Sequence, residues 1–127
     1  MGWMPSLKKP VQLQWTLHAR AKMNHYRLSP ARVRHVLHSP KRIEEGVAPK
    51  TVAMMQPVSM KLLGKKELWS QEIWVMVQDV ADARKVISAW RYPGVTKPRD
   101  AAFLKKEYGE FLADADDGAE ATAENAQ

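Results

Sequence analysis

The stretch "TLHARAKMNHYRLSP", Thr16 to Pro30, sets His18, Lys22 and His25 at i, i+4 and i+7. At about 100° per residue these three lie within about 60° of one another on one helix face. Histidine takes or gives a proton near neutral pH, and a neighbouring lysine can hold a phosphate. The same row also describes an ordinary solvated basic face. Two readings therefore stand open: a phosphate-handling surface with a proton-transfer group in it, or solvated charge.

Other chemistries find less support. His35 and His38 are i, i+3 on a second helical stretch, but two histidines without a third ligand do not make a zinc site. The chain has no cysteine, which excludes disulfides, thiolate metal sites and cysteine nucleophiles, and fits a reducing cytoplasm. "LLGKKE" has one glycine and no phosphate-loop spacing. No Ser-His-Asp arrangement follows from spacing. No metal and no cofactor are expected.

The elements that must position these residues can be read along the chain. Residues 1–15 form a lead-in in which Pro5 and Pro10 discourage helix, with room for a short extended piece at Val11–Trp15. Its Met-Gly-x-x-x-Ser start fits a myristoylation pattern poorly, because Trp3 and Pro5 interrupt it. Thr16 caps a helix from Leu17 to about Tyr26, with Leu17, Ala21 and Met23 toward the core. Ser29-Pro30 starts a second helix running to about His38, where Val33, Val36 and Leu37 make the apolar stripe and Ser39-Pro40 ends it. Arg42–Glu45 and Lys50–Gln56 read as strands around a turn containing Gly46. Residues 57–69 read as a basic loop or an irregular hairpin tip. "QEIWVMVQ" (71–78) and "RKVISAWRY" (84–92) are the clearest strands, joined by the turn "DVADA". Residues 93–100 are a linker. A third helix over 101–112 would carry Leu104, Tyr108, Phe111 and Leu112 on one face, and 113–127 read as an acidic disordered tail.

Two helices followed by strands on short turns predict an α+β domain over 16–92. Both N-terminal helices would pack on one face of a roughly four-stranded antiparallel sheet. The other face is then open unless something covers it. Strict alternation puts Ile73, Val75, Val77, Ile87 and Ala89 under the helices, leaving Trp74, Trp90 and Tyr92 on the open side. Exposed aromatics beside cations suit single-stranded nucleic acid, since every base can stack. A C-terminal helix folding back over the rings, with Phe103, Leu104 and Phe111, is the competing reading, and an acidic tail that RNA displaces would reconcile the two.

Charge favours a polyanion. Residues 1–99 carry 18 Lys and Arg against 6 Asp and Glu, whereas residues 100–127 carry 2 against 8. A body this basic in a cytoplasmic protein suits RNA. General surface charge for solubility is the plainer account. No stretch has the length and apolarity of a membrane span, and the N-terminus lacks a signal-peptide run.

Residues 17–92 also resemble a small bacterial protein family grouped by fold with the RelE-like ribonuclease toxins. The carriers are "HARAKM", "LSPARVRHVLHSPKRIEEG" and "RKVISAWRYPG". The resemblance implies a helix-helix-sheet fold, metal-independent endoribonuclease activity or descent from it, and an antitoxin protein as a possible partner. On the matching positions it points to His18, Lys22, Arg91 and Tyr92 as catalytic. Cleavage would need a base for the ribose 2′-OH, cations for the phosphorane and an acid for the leaving 5′-oxygen. His18 would move protons, Lys22 or Arg91 would hold the phosphate, and Tyr92 or Trp90 would stack a base. His25, Arg42, Trp74 and Trp90 complete the expected RNA contacts. The alternative is a non-catalytic module that binds RNA or protein. A structural protein whose aromatic face is an oligomer interface is a third class.

Overall fold

The computed structural model describes residues 12–46 and 50–97. The chain runs β1 (Gln12–Trp15), α1 (Leu17–Tyr26), α2 (Pro30–His38), β2 (Arg42–Glu45), β3 (Thr51–Pro57), β4 (Lys61–Leu63), β5 (Lys66–Leu68), β6 (Glu72–Val80) and β7 (Ala83–Tyr92). Five strands form one sheet in the order β1-β7-β6-β3-β2, and β4 and β5 form a separate hairpin. The α+β class holds. The sheet is mixed rather than wholly antiparallel, because β1 adds a parallel edge strand to β7. That strand lies in the segment read as a lead-in, and its Leu13 and Trp15 pack into the core. The expected helix at 101–112 and the tail lie outside the described residues.

Both helices begin where their caps predict. Thr16 Oγ1 accepts from the Ala19 N–H at 3.0 Å, and Ser29 Oγ accepts from Arg32 N–H at 3.1 Å, with Pro30 in the first turn. α1 ends at Arg27, whose φ of 58° and ψ of 48° are left-handed. Leu28 N–H reaches back to Met23 O at 2.8 Å and Arg27 N–H to Asn24 O at 3.3 Å, a Schellman closure with Leu28 and Met23 both buried.

Thr16 also sets the rotation of α1. Its N–H and its hydroxyl both donate to Val86 O at 3.1 Å. This docks the helix start on β7 and turns His18, Ala19 and Met23 inward. Leu17 and Ala21, expected in the core, face outward instead. In α2, Val33 and Val36 are buried and Leu37 is partly so, as the stripe predicts.

The sheet separates two apolar clusters. Val52, Met54, Ile73, Val75, Val77, Val86 and Ala89 face the helices. Ala53, Met55, Trp74, Met76, Ile87 and Trp90 form the second cluster on the other side. The surprise is Ile87. Ser88 pairs with Met76 and Val86 with Val77, so Ile87 is the extra residue of a β-bulge. Alternation therefore changes phase there. Val86 and Ala89 share the helix side, and Ile87 falls with Trp90 on the opposite one.

Candidate nucleic-acid interface

α1 runs beside β7 where β1 stops pairing. Thr16 meets Val86 at one end, and Arg91 Nη2 donates to Tyr26 O at 3.1 Å at the other. The lengths match: α1 rises about 15 Å from Thr16 to Tyr26, and β7 covers about 16 Å from Val86 to Arg91. This geometry sorts the expected site residues into three places.

His18 lies at the start of α1, 5% exposed. The helix rise between His18 and Tyr26, where Arg91 is anchored, is about 12 Å. His18 therefore does not join Arg91 in one site, and its ring is turned into the domain rather than toward an RNA ribose. This corrects the expectation of His18 as an accessible base beside Arg91.

Lys22, His25 and Arg91 do meet, at the far end of α1, and they meet around Tyr26. Lys22 Nζ stands 5.3 Å from the centroid of the Tyr26 ring. The His25 ring meets it edge-on, with centroids 4.7 Å apart. Arg91 bonds the Tyr26 carbonyl. Lys22, Tyr26 and Arg91 are half-buried and His25 is exposed. Cations at a helix C-terminus complement the negative end of its dipole. Tyr26 was missed in the sequence, although its i+4 spacing from Lys22 was the signal that could have found it.

Tyr92 points the other way. It registers opposite Glu72 and packs against the second cluster, while Arg91 registers opposite Ile73 on the helix side. Past the bulge the register is regular and adjacent residues alternate faces, so Arg91 and Tyr92 do not act together.

On the second side the expected open aromatic platform is filled. Trp74 is 0% and Trp90 3% exposed. Their rings stack on each other at 6.1 Å and 7°. The Arg42 guanidinium lies 5.3 Å from the Trp74 ring centroid. Neither indole presents a face to a nucleobase in this arrangement, which corrects their expected exposure. Arg42 is likewise engaged, donating to Thr96 O at 2.8 Å, to Thr96 Oγ1 at 3.0 Å and to Glu44 Oε2 at 3.3 Å.

The centre of that network is Glu72, a fully buried carboxylate. Oε1 accepts from Trp74 Nε1 at 2.9 Å and Thr96 Oγ1 at 2.8 Å; Oε2 accepts from Trp69 Nε1 at 2.8 Å and Thr96 N–H at 3.1 Å. Four donors satisfy a charge that burial would otherwise penalise.

The second histidine pair is structural on one side. His35 Nδ1 lies 3.0 Å from Gln56 Oε1, which also accepts from Arg32 Nη1 at 2.8 Å. Gln56 Nε2 donates to the carbonyls of His35 and Ser39, which fixes Oε1 as the acceptor and places the His35 proton on Nδ1. Among the described residues no group of three or more potential ligands could hold a metal ion.

The helical layer as a whole is free of carboxylates. Residues 16–42 contain Arg20, Lys22, Arg27, Arg32, Arg34, Lys41 and Arg42, all four histidines, and no Asp or Glu. Arg34 lies 5.3 Å from the Trp15 ring centroid, and Lys41 pairs with Glu67 of the hairpin. Among the described residues no helix is long and apolar enough to cross a membrane. Compared with known proteins, the chain matches no family model, no curated protein and no solved structure.

Proposed function

We propose that this protein binds RNA on its helical side, as a relative of the RelE-like ribonuclease toxins that residues 17–92 resemble. The observation that carries the reading is the meeting of Lys22, His25 and Arg91 around Tyr26 at the end of α1. Two nitrogen-bearing side chains there meet an aromatic ring and a third bonds its backbone carbonyl, within a layer that has no carboxylate to repel phosphate. Binding is the better supported half of the reading, because His18 is turned inward. If cleavage occurs, His25, exposed and in contact with the Tyr26 ring, is the candidate proton-transfer group.

Fluorescence anisotropy with a labelled single-stranded RNA across a salt series tests binding. Affinity should fall steeply with salt through counterion release, and Lys22→Ala should lower the log–log slope by about 0.7. A salt-insensitive or undetectable interaction overturns the reading. Incubation of the RNA with protein and EDTA, followed by end-group analysis, tests cleavage. A 2′,3′-cyclic phosphate product lost in His25→Ala supports the enzyme, and intact RNA leaves a binder.

A further inference from the structure

We propose that β2 is the edge through which two copies of this chain pair, antiparallel and about a twofold axis at Ile43. The inference goes beyond RNA binding and does not rest on it. Three observations carry it.

The first is the direction of the backbone groups. Among the described residues β2 is paired on one side only, to β3, at the end of the sheet opposite β1. Gly46 N–H donates to Thr51 O at 2.8 Å, and these two residues continue the β2–β3 register. Backbone groups alternate direction along an antiparallel strand. Glu44 and Arg42 therefore also turn toward β3, while the N–H and C=O of Ile43 point away from it. In a pair centred on Ile43 these groups meet those of Ile43 of the second copy, N–H to C=O in both directions.

The second is exposure. Ile43 stands at the outer strand with half of its surface (50%) open to solvent. Along β2 exposure alternates, with Ile43 and Glu45 exposed and Arg42 and Glu44 half-buried. Pairing sets the two Ile43 side chains directly opposite each other and covers both.

The third is the order of the charges. A short, charged edge strand ordinarily repels another strand. In "KRIEE", Lys41 to Glu45, the charges on the two sides of Ile43 are opposite in sign. With Ile43 on the axis, Arg42 of each copy stands opposite Glu44 of the other. One step outside the strand, Lys41 comes level with Glu45. Opposite charges across a strand pair attract and like charges repel. Sliding the pair by two residues sets Arg42 against Arg42 or Glu44 against Glu44. Sliding it by one sets the outward groups of Ile43 against groups that turn back to β3. The sequence thus favours one register. Arg42 keeps its bond to Glu44 of its own chain, and Lys41 its pair with Glu67, since an ammonium has three donors. The twofold axis stands perpendicular to the sheet, so both helical layers lie on the same side of one continuous sheet. The contact is small, which makes the dimer weak and concentration-dependent.

Sedimentation velocity of the full chain over a concentration series, without RNA, reads the dimer Kd. Glu45→Lys and Lys41→Glu each set like charges level with one another at both ends of the pair. Each alone should raise the Kd roughly tenfold. An equimolar mixture of the two should return it to near the unmodified value, because mixing restores unlike charges at both ends, and this recovery also shows that both variants are folded. The chain lacks cysteine, so Ile43→Cys introduces a single thiol on the axis. Residues facing each other in such a hydrogen-bonded pair have Cα atoms about 5.5 Å apart, within disulfide range. Under mild oxidation Ile43→Cys should cross-link at least about tenfold faster than Val95→Cys, a site of similar exposure (55%) away from β2. An unmodified chain that stays monomeric at every concentration overturns the inference. So does a Kd that neither charge variant moves, a mixture that fails to recover, or cross-linking at Ile43→Cys no faster than at Val95→Cys.

Discussion

Arg91 Nη2 donates to the backbone carbonyl of Tyr26 at 3.1 Å, tying the last turn of α1 to the end of β7. The bond satisfies one of the carbonyls that a helix end leaves without a partner, and it places a cation at the negative end of the dipole. Arg91→Ala should therefore cost about 1–2 kcal/mol of stability, read as a lower midpoint in urea unfolding with an unchanged slope. A guanidinium has five donors, and this bond uses one. The same substitution should also lower the RNA salt slope. A normal unfolding midpoint would show that the bond to Tyr26 contributes nothing.

Arg27 holds the left-handed position that closes α1, where glycine is the usual residue. A Cβ in this conformation costs roughly 1–2 kcal/mol, part of which glycine returns as chain entropy in the unfolded state. Arg27→Gly should thus raise stability by about 0.5–1 kcal/mol, measurable as a rise in Tm. Arg27→Ala removes the same charge but keeps the strain. If both substitutions shift Tm equally, the backbone argument is wrong and the charge decides.

Glu72 accepts four hydrogen bonds while fully buried, so each oxygen must remain an acceptor. Glu72→Gln preserves the shape and presents an NH2 to two donors. It should destabilise by about 2–3 kcal/mol, since two buried donors lose their partner. The near-ultraviolet circular dichroism of Trp69 and Trp74 should change as well, because both indoles donate to this carboxylate. Retained stability with an unchanged spectrum would mean that water or a shifted loop replaces the network.

Local signals were legible in the sequence and non-local ones were not. Thr16 and Ser29-Pro30 located both helix starts because a cap is a property of neighbouring residues. β-branched and aromatic content located the strands read at 71–78 and 84–92, which the structure sets at Glu72–Val80 and Ala83–Tyr92. The parallel pairing of β1 was invisible, because it joins residues about seventy positions apart and the strand is only four residues long. Ile87 misled the face assignment for a different reason. A bulge inserts one residue without altering composition, so strict alternation placed Ile87 under the helices while the structure sets it beside Trp90. Of the expected site, Lys22 and Arg91 come together only because Tyr26 stands between them. His18 was misplaced because the rotation of α1 is set by Thr16 on β7, not by the apolar pattern of the helix.

Thr16 is the residue through which cap and bulge act on each other. Its hydroxyl accepts from Ala19 N–H at 3.0 Å and donates to Val86 O at 3.1 Å, one residue before the bulged Ile87. Thr16→Val keeps the volume and removes both hydrogen bonds. Loss of an N-cap costs about 1–2 kcal/mol, and leaving a buried N–H without an acceptor adds to it. Thr16→Ser keeps the hydroxyl and loses one methyl group, so it should cost no more than about 1 kcal/mol. Hydrogen exchange separates a local cause from a global one. In Thr16→Val the amides of Ala19 and of the β1–β7 ladder should exchange faster than those of β3 and β6, because α1 loses its attachment at that end first. A loss in the valine variant no larger than in the serine variant, with uniform exchange, would show that the hydroxyl contributes nothing here and sever the link between the cap of α1 and the bulge of β7.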